Sequence, residues 1–148
     1  MEKTAVFPGS FDPFTVGHEE IVRRGLKIFD RIIIAVGVNP GKREFLSTED
    51  RIRLIRKAFA DTDRISVEPY GGLTVDFCQR VRSNTIIRGL RTAADFEYER
   101  AIGQANRAMD ADIETLFILT STVHTFISSS IVRNIYENGG DITRFLPE

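Results

Sequence analysis

The chain has 148 residues, with 20 Lys+Arg against 21 Asp+Glu and a formal net charge of −1. That near balance argues against a chain held to nucleic acid or membrane by bulk positive charge, and 42% hydrophobic with 28% charged residues is far from the disordered extreme. The single cysteine, Cys78, rules out an intrachain disulfide and a cysteine-built zinc site, and it suits a reducing compartment.

The length fits one domain spanning residues 1–148, able to bury roughly two-thirds of its unfolded surface. The longest strongly apolar stretch, near Ile32 to Val38, is far short of the ~20 residues that cross a bilayer. Met1-Glu2-Lys3-Thr4 lacks the apolar core of a signal peptide. The expectation is a soluble cytoplasmic protein.

Apolar β-branched runs alternate with segments of helical period. Thr4 to Phe7 reads as a first strand, ended by Pro8-Gly9. Gly17 to Phe29 reads as a helix that buries Ile21, Val22, Gly25, Ile28 and Phe29. The unbroken isoleucines of Arg31 to Val36 indicate a strand buried on both faces. Ser47 caps a helix carrying Ile52, Ile55 and Phe59. Ile65 to Val67 is a third strand, Leu73 to Val81 a short helix, and Thr85 to Ile87 a fourth strand. Thr92 caps a helix running to about Met109, with Phe96, Ile102 and Ala105 among its packing positions. Leu116 to Leu119 is a fifth strand, and a last helix runs from near Ser128 to Gly139-Gly140. Phe145 to Glu148 form a short tail. The alternation predicts an α/β fold: a Rossmann-like open parallel five-stranded sheet with helices on both faces.

In such a sheet, ligands bind beyond the carboxyl ends of the strands. Gly9, Ser10, Asp12, Thr15, Gly17 and His18 follow the first strand, and Lys42 and Arg43 follow the second. Arg88, Gly89 and Arg91 follow the fourth, and His124 with Ser128-Ser129-Ser130 follows the fifth. Cations, hydroxyls and glycines recurring at these ends of a near-neutral chain point to an anionic ligand, foremost phosphate. His18 falls on a first helical turn, where backbone N–H groups already favour phosphate. A lone histidine there is more often a surface residue, but the glycines, prolines and hydroxyls around it reverse that preference. Arg88 and Arg91, astride a glycine, can converge on one polyphosphate with planar forks of donors, although ion pairs to Asp95 or Glu99 are an equal alternative. Glu99 reads either as part of a partly solvated helix face with Asp95, Glu97 and Arg100 or as a group that holds a hydroxyl or amine of a ligand, and Phe7, Phe11 and Phe14 read as packing residues. Cys78, inside an apolar helical segment, reads as inert core. The parts for zinc-protease, cysteine-nucleophile or serine-elbow chemistry are missing. Transfer at phosphorus remains.

The blocks Pro8-Gly9-Ser10-Phe11-Asp12-Pro13, Thr15-Val16-Gly17-His18, Lys42, Ile87-Arg88-Gly89-Leu90-Arg91, Asp95-Phe96-Glu97-Tyr98-Glu99 and Phe126-Ile127-Ser128-Ser129-Ser130 occur in that order. Together they resemble the bacterial phosphopantetheine adenylyltransferase family, within the T/H-x-G-H nucleotidyltransferase superfamily. The resemblance covers Thr4 to the C-terminus. Thr-x-Gly-His alone marks the superfamily; the arginine block and Phe-Ile-Ser-Ser-Ser are more specific.

The resemblance implies transfer of AMP from ATP to 4′-phosphopantetheine, giving dephospho-coenzyme A and pyrophosphate by direct attack. It assigns catalysis to Ser10, His18, Lys42 and Arg91, and the phosphopantetheine site to Ser10, Lys42, Thr74 and Arg88. It assigns ATP contacts to Ser10, Phe11, His18, Gly89, Leu90, Arg91, Glu99, His124, Thr125, Phe126, Ile127, Ser128, Ser129 and Ser130. It further implies Mg2+ carried on the ATP phosphates with no protein metal ligands, a homohexamer, feedback binding of coenzyme A, and no nucleic-acid or membrane partner. Positive charge from His18, Lys42, Arg88 and Arg91 would screen the repulsion between the two anionic substrates. Three positions depart from the family pattern: Ser10 is often Thr, Thr74 is commonly larger and apolar, and His124 is usually Trp or Tyr. The alternatives are another nucleotidyltransferase of the superfamily, acting on a nicotinamide or polyol phosphate, or a non-catalytic nucleotide-binding protein of the same fold.

Overall fold

The computed structural model describes residues 1–148. Five strands, β1 (Thr4–Gly9), β2 (Arg31–Gly37), β3 (Ile65–Tyr70), β4 (Thr85–Leu90) and β5 (Glu114–Leu119), form one parallel sheet in the order β3-β2-β1-β4-β5. The helices are α1 (Val16–Gly25), α2 (Thr48–Ala58), α3 (Thr74–Val81), α4 (Ala93–Met109) and α5 (Ser129–Glu137). The chain builds outward from β1 to β3, then returns to place β4 on the other side of β1. That reversal opens a crevice at the carboxyl ends of β1 and β4.

The side-chain alternation of β1 and β2 feeds two cores. Ala5, Phe7, Ile32, Ile34 and Val36 pack with α1 and α2 through Ile21, Val22, Ile52 and Ile55. Val6, Ile33 and Ala35 pack on the opposite face with Val75, Phe77 and Cys78 of α3. Helices therefore cover both faces, as the isoleucine run requires. Cys78 is fully buried, and burial, with Asp110 nearby, pushes its thiol up to about 11; it is inert core. No helix is long and apolar enough to cross a membrane.

Several sequence expectations need correction. The first helix ends at Gly25, not Phe29, and the chain then tightens, with the Ile28 and Phe29 N–H groups both donating to the Gly25 carbonyl. A Cβ at Gly25 would lie 2.8 Å from Ile32 Cδ1, so a larger residue at this helix end would have to push that buried methyl aside. Ile28 is consequently turned out to solvent, while Phe29 stays buried. Strand β4 continues through Arg88, Gly89 and Leu90, because β5 pairs with it as far as Leu90 and Leu119. On α4, Phe96, Ile102 and Ala105 are exposed, and the buried residue of that helix is Glu99. Its apolar positions do not face this chain's core. A 3-10 turn, Thr143–Phe145, leads into the tail and takes in its first residue.

Candidate active site

A cavity of about 510 Å3 occupies the crevice. Ser10, His18, Lys42, Arg88 and Arg91, which come from the ends of three strands, β1, β2 and β4, all line it. Phe11, Gly89, Glu99, His124, Ile127, Ser128, Ser129 and Ser130 do so as well. Its cations are Lys42, Arg88, Arg91 and Arg133, and its carboxylates are Asp95 and Glu99. The cavity is thus positive within a chain whose net charge is −1.

The Thr-x-Gly-His block is a helix cap with a second use. Thr15 is the N-cap of α1 and His18 the third helical residue. The His18 N–H donates to Thr15 Oγ1 at 3.3 Å, and the Thr15 N–H donates back to His18 Nδ1 at 3.0 Å. This is a capping box in which imidazole takes the part usually played by a glutamate. Because Nδ1 accepts, the neutral ring carries its proton on Nε2. Phe11, Phe14 and Phe7 ring it, with centroids 5.0, 5.3 and 6.3 Å away. Burial, then the charges of Arg88 and Arg91, lower the His18 pKa from 6.5 to about 3. His18 is therefore a neutral donor in this pocket. It does not join Lys42, Arg88 and Arg91 as a positive charge, the part the sequence suggests for it, because desolvation and two neighbouring guanidinium groups oppose protonation.

Gly9 is required by the same cluster: a Cβ there would come 2.8 Å from the Phe11 ring. Phe11 itself adopts φ 49°, a left-handed conformation uncommon for a side-chain-bearing residue. It turns the chain sharply between Ser10 and the buried Asp12. Asp12 Oδ2 and Oδ1 accept the backbone N–H groups of Phe45 (2.8 Å) and Leu46 (2.7 Å), which fastens the far end of the loop that bears Lys42.

Both arginines of the Arg-Gly-Leu-Arg block are held by α4. Arg88 Nε and Nη2 donate to Glu99 at 2.6–3.0 Å, and Nη1 donates to the Pro8 carbonyl. Arg91 Nε donates to Asp95 Oδ2 at 3.1 Å, and Asp95 also accepts the Arg91 backbone N–H at 2.9 Å. Thr92 and Asp95 form a second capping box. Glu99 is buried rather than part of a solvated face, because the arginine beside it replaces its water.

The N-terminus of α5 closes another side of the cavity. Ser128 caps it, accepting the Ile131 N–H at 3.2 Å, and Ser129 Oγ donates to the Pro13 carbonyl at 2.8 Å. Arg133, one turn along, donates to the Asp12 carbonyl at 2.7 Å and to Ser130 Oγ at 3.2 Å. The sequence reading did not single out Arg133; its spacing from the serines, one helical turn, was the available signal. His124 borders the cavity with Nδ1 3.3 Å from Glu20 Oε2, at an angle unsuited to a hydrogen bond. Burial pushes the Glu20 carboxyl up, but the N–H and hydroxyl of Ser121, with His124 beside them, outweigh it and bring the net shift down.

Four residues assigned by the resemblance lie elsewhere. Thr74 lines a neighbouring hollow of about 170 Å3, which shares Gly9, Arg88 and Glu99 with the main cavity. Its hydroxyl lies 3.0 Å from Tyr70 Oη. Leu90 is engaged in the ladder, its carbonyl accepting from both Thr120 N–H and hydroxyl. Thr125 Oγ1 donates to the Ser121 carbonyl at 3.3 Å, and Phe126 is exposed beside Phe145. No group of three or more His, Cys, Asp or Glu is arranged to hold a metal ion. Asp95 and Glu99 are both committed to arginines.

A parallel sheet with a phosphate-suited cavity at its reversal point defines a nucleotidyltransferase of the cytidylyltransferase-like family, which residues 6–135 match. All of this chain superimposes on 46% of the bifunctional NMN adenylyltransferase/ADP ribose pyrophosphatase of Francisella tularensis, with a TM-score of 0.72 at 17% identity. That likeness concerns the fold, and this chain spans about half of that protein. The phosphopantetheine adenylyltransferase of Flavobacterium psychrophilum is 50% identical over 146 residues, covering 99% of this chain and 96% of the relative. That of Cytophaga hutchinsonii is 47% identical over 147 residues, covering 99% and 98%. The chain belongs to the phosphopantetheine adenylyltransferase family.

Proposed function

We propose that this chain moves AMP from ATP to 4′-phosphopantetheine, releasing pyrophosphate and dephospho-coenzyme A in coenzyme A biosynthesis. The observation that carries this reading is the meeting of Ser10, His18, Lys42, Arg88 and Arg91 in one positive cavity. An oxygen of the acceptor phosphate attacks the α-phosphorus of ATP. A phosphorus–oxygen bond forms there while the bond to the leaving pyrophosphate breaks, and pyrophosphate keeps the electron pair. The protein's task is to hold two anions in line and to stabilise the charge that spreads over the equatorial oxygens.

Lys42 and Arg88 hold the acceptor phosphate, and the pantetheine arm runs along the hollow of Thr74. Ser10 and His18 stand at the reacting phosphorus. His18, fixed by Thr15, donates from Nε2, and a transition-state donor of this kind is worth about 3 kcal/mol. Arg91 and the α5 N-terminus, with Ser129 and Ser130, receive the outer phosphates. Phe11, Gly89, Leu90, Glu99 and the His124–Ile127 segment enclose the nucleotide, Glu99 acting through Arg88. Magnesium on the nucleotide would be held by phosphate oxygens, since the cavity's carboxylates are paired, and it would neutralise phosphate charge.

Exposed Phe96, Tyr98 and Ile102 on α4, with Leu116 and Leu119 on the edge strand β5, support assembly of copies as a homohexamer. Coenzyme A, which carries the same pantetheine arm, would compete for the acceptor site. The expected setting is the cytoplasm. The test compares acceptors: with ATP, 4′-phosphopantetheine should release pyrophosphate at least about 10²-fold faster than nicotinamide mononucleotide or a polyol phosphate. Equal rates with all acceptors would overturn the assignment.

A further inference from the structure

Arg51 lies on α2, outside the main cavity, and its side chain is 3% exposed. A guanidinium buried this deeply is costly unless its donors are met. Nη1 donates to the Ser10 carbonyl at 2.7 Å and to the Gly37 carbonyl at 3.2 Å. Nη2 donates to Glu44 Oε1 and Thr48 Oγ1, each at 3.0 Å. Nε has no partner. One side chain thus joins the turn after β1, the end of β2 and the loop that follows it.

Those segments carry one group at the reacting phosphorus and one that holds the acceptor phosphate. Ser10 is on the first, where the left-handed Phe11 bends the backbone. Lys42 is on the last, two residues before Glu44. A hollow of about 70 Å3 lined by Ser10, Lys42, Glu44 and Arg51 lies between them. Asp12 fastens the other end of the same loop at Phe45 and Leu46. Without Arg51, only Asp12 would tie the loop to the β1 turn, and Lys42 would swing about that point.

We propose that Arg51 is a positioning residue, setting the separation of Ser10 and Lys42 by bracing both of their backbones at once. The inference rests on the phosphopantetheine reading above. A planar fork is needed: lysine keeps the charge but cannot hold two carbonyls and a carboxylate in a fixed plane.

The experiment measures pyrophosphate formation by wild type, Arg51→Lys, Lys42→Ala and the double variant, each over separate ATP and phosphopantetheine titrations, with thermal unfolding alongside. For Arg51→Lys, we expect kcat/KM for phosphopantetheine to fall about 10²-fold while KM for ATP stays within about threefold, the scale of a misplacement near 1 Å. The double variant should be little worse than Lys42→Ala, because Arg51 acts through the loop that Lys42 occupies. Fully additive losses, or equal losses in both substrates tracking a lower Tm, would overturn the positioning role. Should Arg51→Lys fail to fold, Glu44→Ala cuts the tether at its exposed end; we expect about a tenfold rise in KM for phosphopantetheine alone, and an unchanged KM overturns the proposal. A wild-type protein that forms no pyrophosphate overturns the functional reading and the proposal with it; an active wild type with unaffected variants overturns the proposal alone.

Discussion

Glu99 of α4 grips Arg88 of β4 with both carboxylate oxygens, at 2.6–3.0 Å. The pair stands where the main cavity meets the Thr74 hollow. It sets the plane of the guanidinium while leaving donors free to meet a phosphate. Glu99→Ala would leave a half-buried cation held only by the Pro8 carbonyl. We expect a stability loss of about 1–3 kcal/mol by urea unfolding and about a tenfold weaker affinity for phosphopantetheine by calorimetry. Unchanged affinity would show that Arg88 needs no orienting partner.

His18→Ala tests the donor at the reacting phosphorus. Its Nδ1 is occupied by Thr15, so the variant removes Nε2–H from the cavity. We expect kcat to fall about 10²-fold or more, with KM for either substrate changed less than about threefold. Steady-state kinetics on a variant with native unfolding behaviour decides it, and near-normal turnover would contradict the assignment.

The buried imidazole also gives stability a pH dependence. Its folded pKa is about 3, below the ordinary 6.5. Above pH 6.5 neither state binds the proton. As pH falls below 6.5, the unfolded chain takes up a proton that the folded one refuses, so stability drops until about pH 3, by up to ~1.4 kcal/mol per pH unit. His18→Gln removes this contribution. Urea unfolding at pH 7 and pH 5 should show wild type losing roughly 1–2 kcal/mol more than the variant. Equal losses would mean that His18 is protonated in the fold.

Asp12 accepts two backbone N–H groups from residues 45 and 46 while itself nearly inaccessible. Asp12→Ala should cost about 2–4 kcal/mol, since each bond to a buried carboxylate is lost and two N–H groups are stranded. Chemical denaturation measures it. A loss under about 1 kcal/mol would show that the loop holds without the clamp.

Sedimentation should give six times the 16.7 kDa chain mass for wild type and smaller species for Ile102→Asp, which puts charge on the exposed α4 face. A monomeric wild type would contradict the proposed assembly.

Much of this was legible in the residues. The Ile32–Ile34 run could only be a strand buried twice, and Ser47 and Thr92 announced their helices as caps, whereas the cap at Thr15 emerges only in the fold. The polar residues at strand ends named most of the cavity wall. Periodicity was misleading on α4, where Phe96 and Ile102 are exposed while charged Glu99 is buried. Hydrophobic spacing cannot tell a core face from a face open to another copy, and it cannot see an ion pair. Arg51 stood among Arg53, Arg56 and Lys57 as one more helix-surface cation. Its burial follows from where the β1 turn and the β2 loop meet, which brings the Ser10 carbonyl to Arg51 from 41 residues away in sequence. The neutrality of His18 was hidden for the same reason, because it depends on three phenylalanines and two arginines assembled only in the fold.

The most direct measurement is a single-turnover reaction of the protein with ATP and 4′-phosphopantetheine, quenched and read by mass. The account requires dephospho-coenzyme A and pyrophosphate in equal amounts, with no adenylylated protein at any time. ATP bound but unconverted, or AMP attached covalently to the chain, would contradict it.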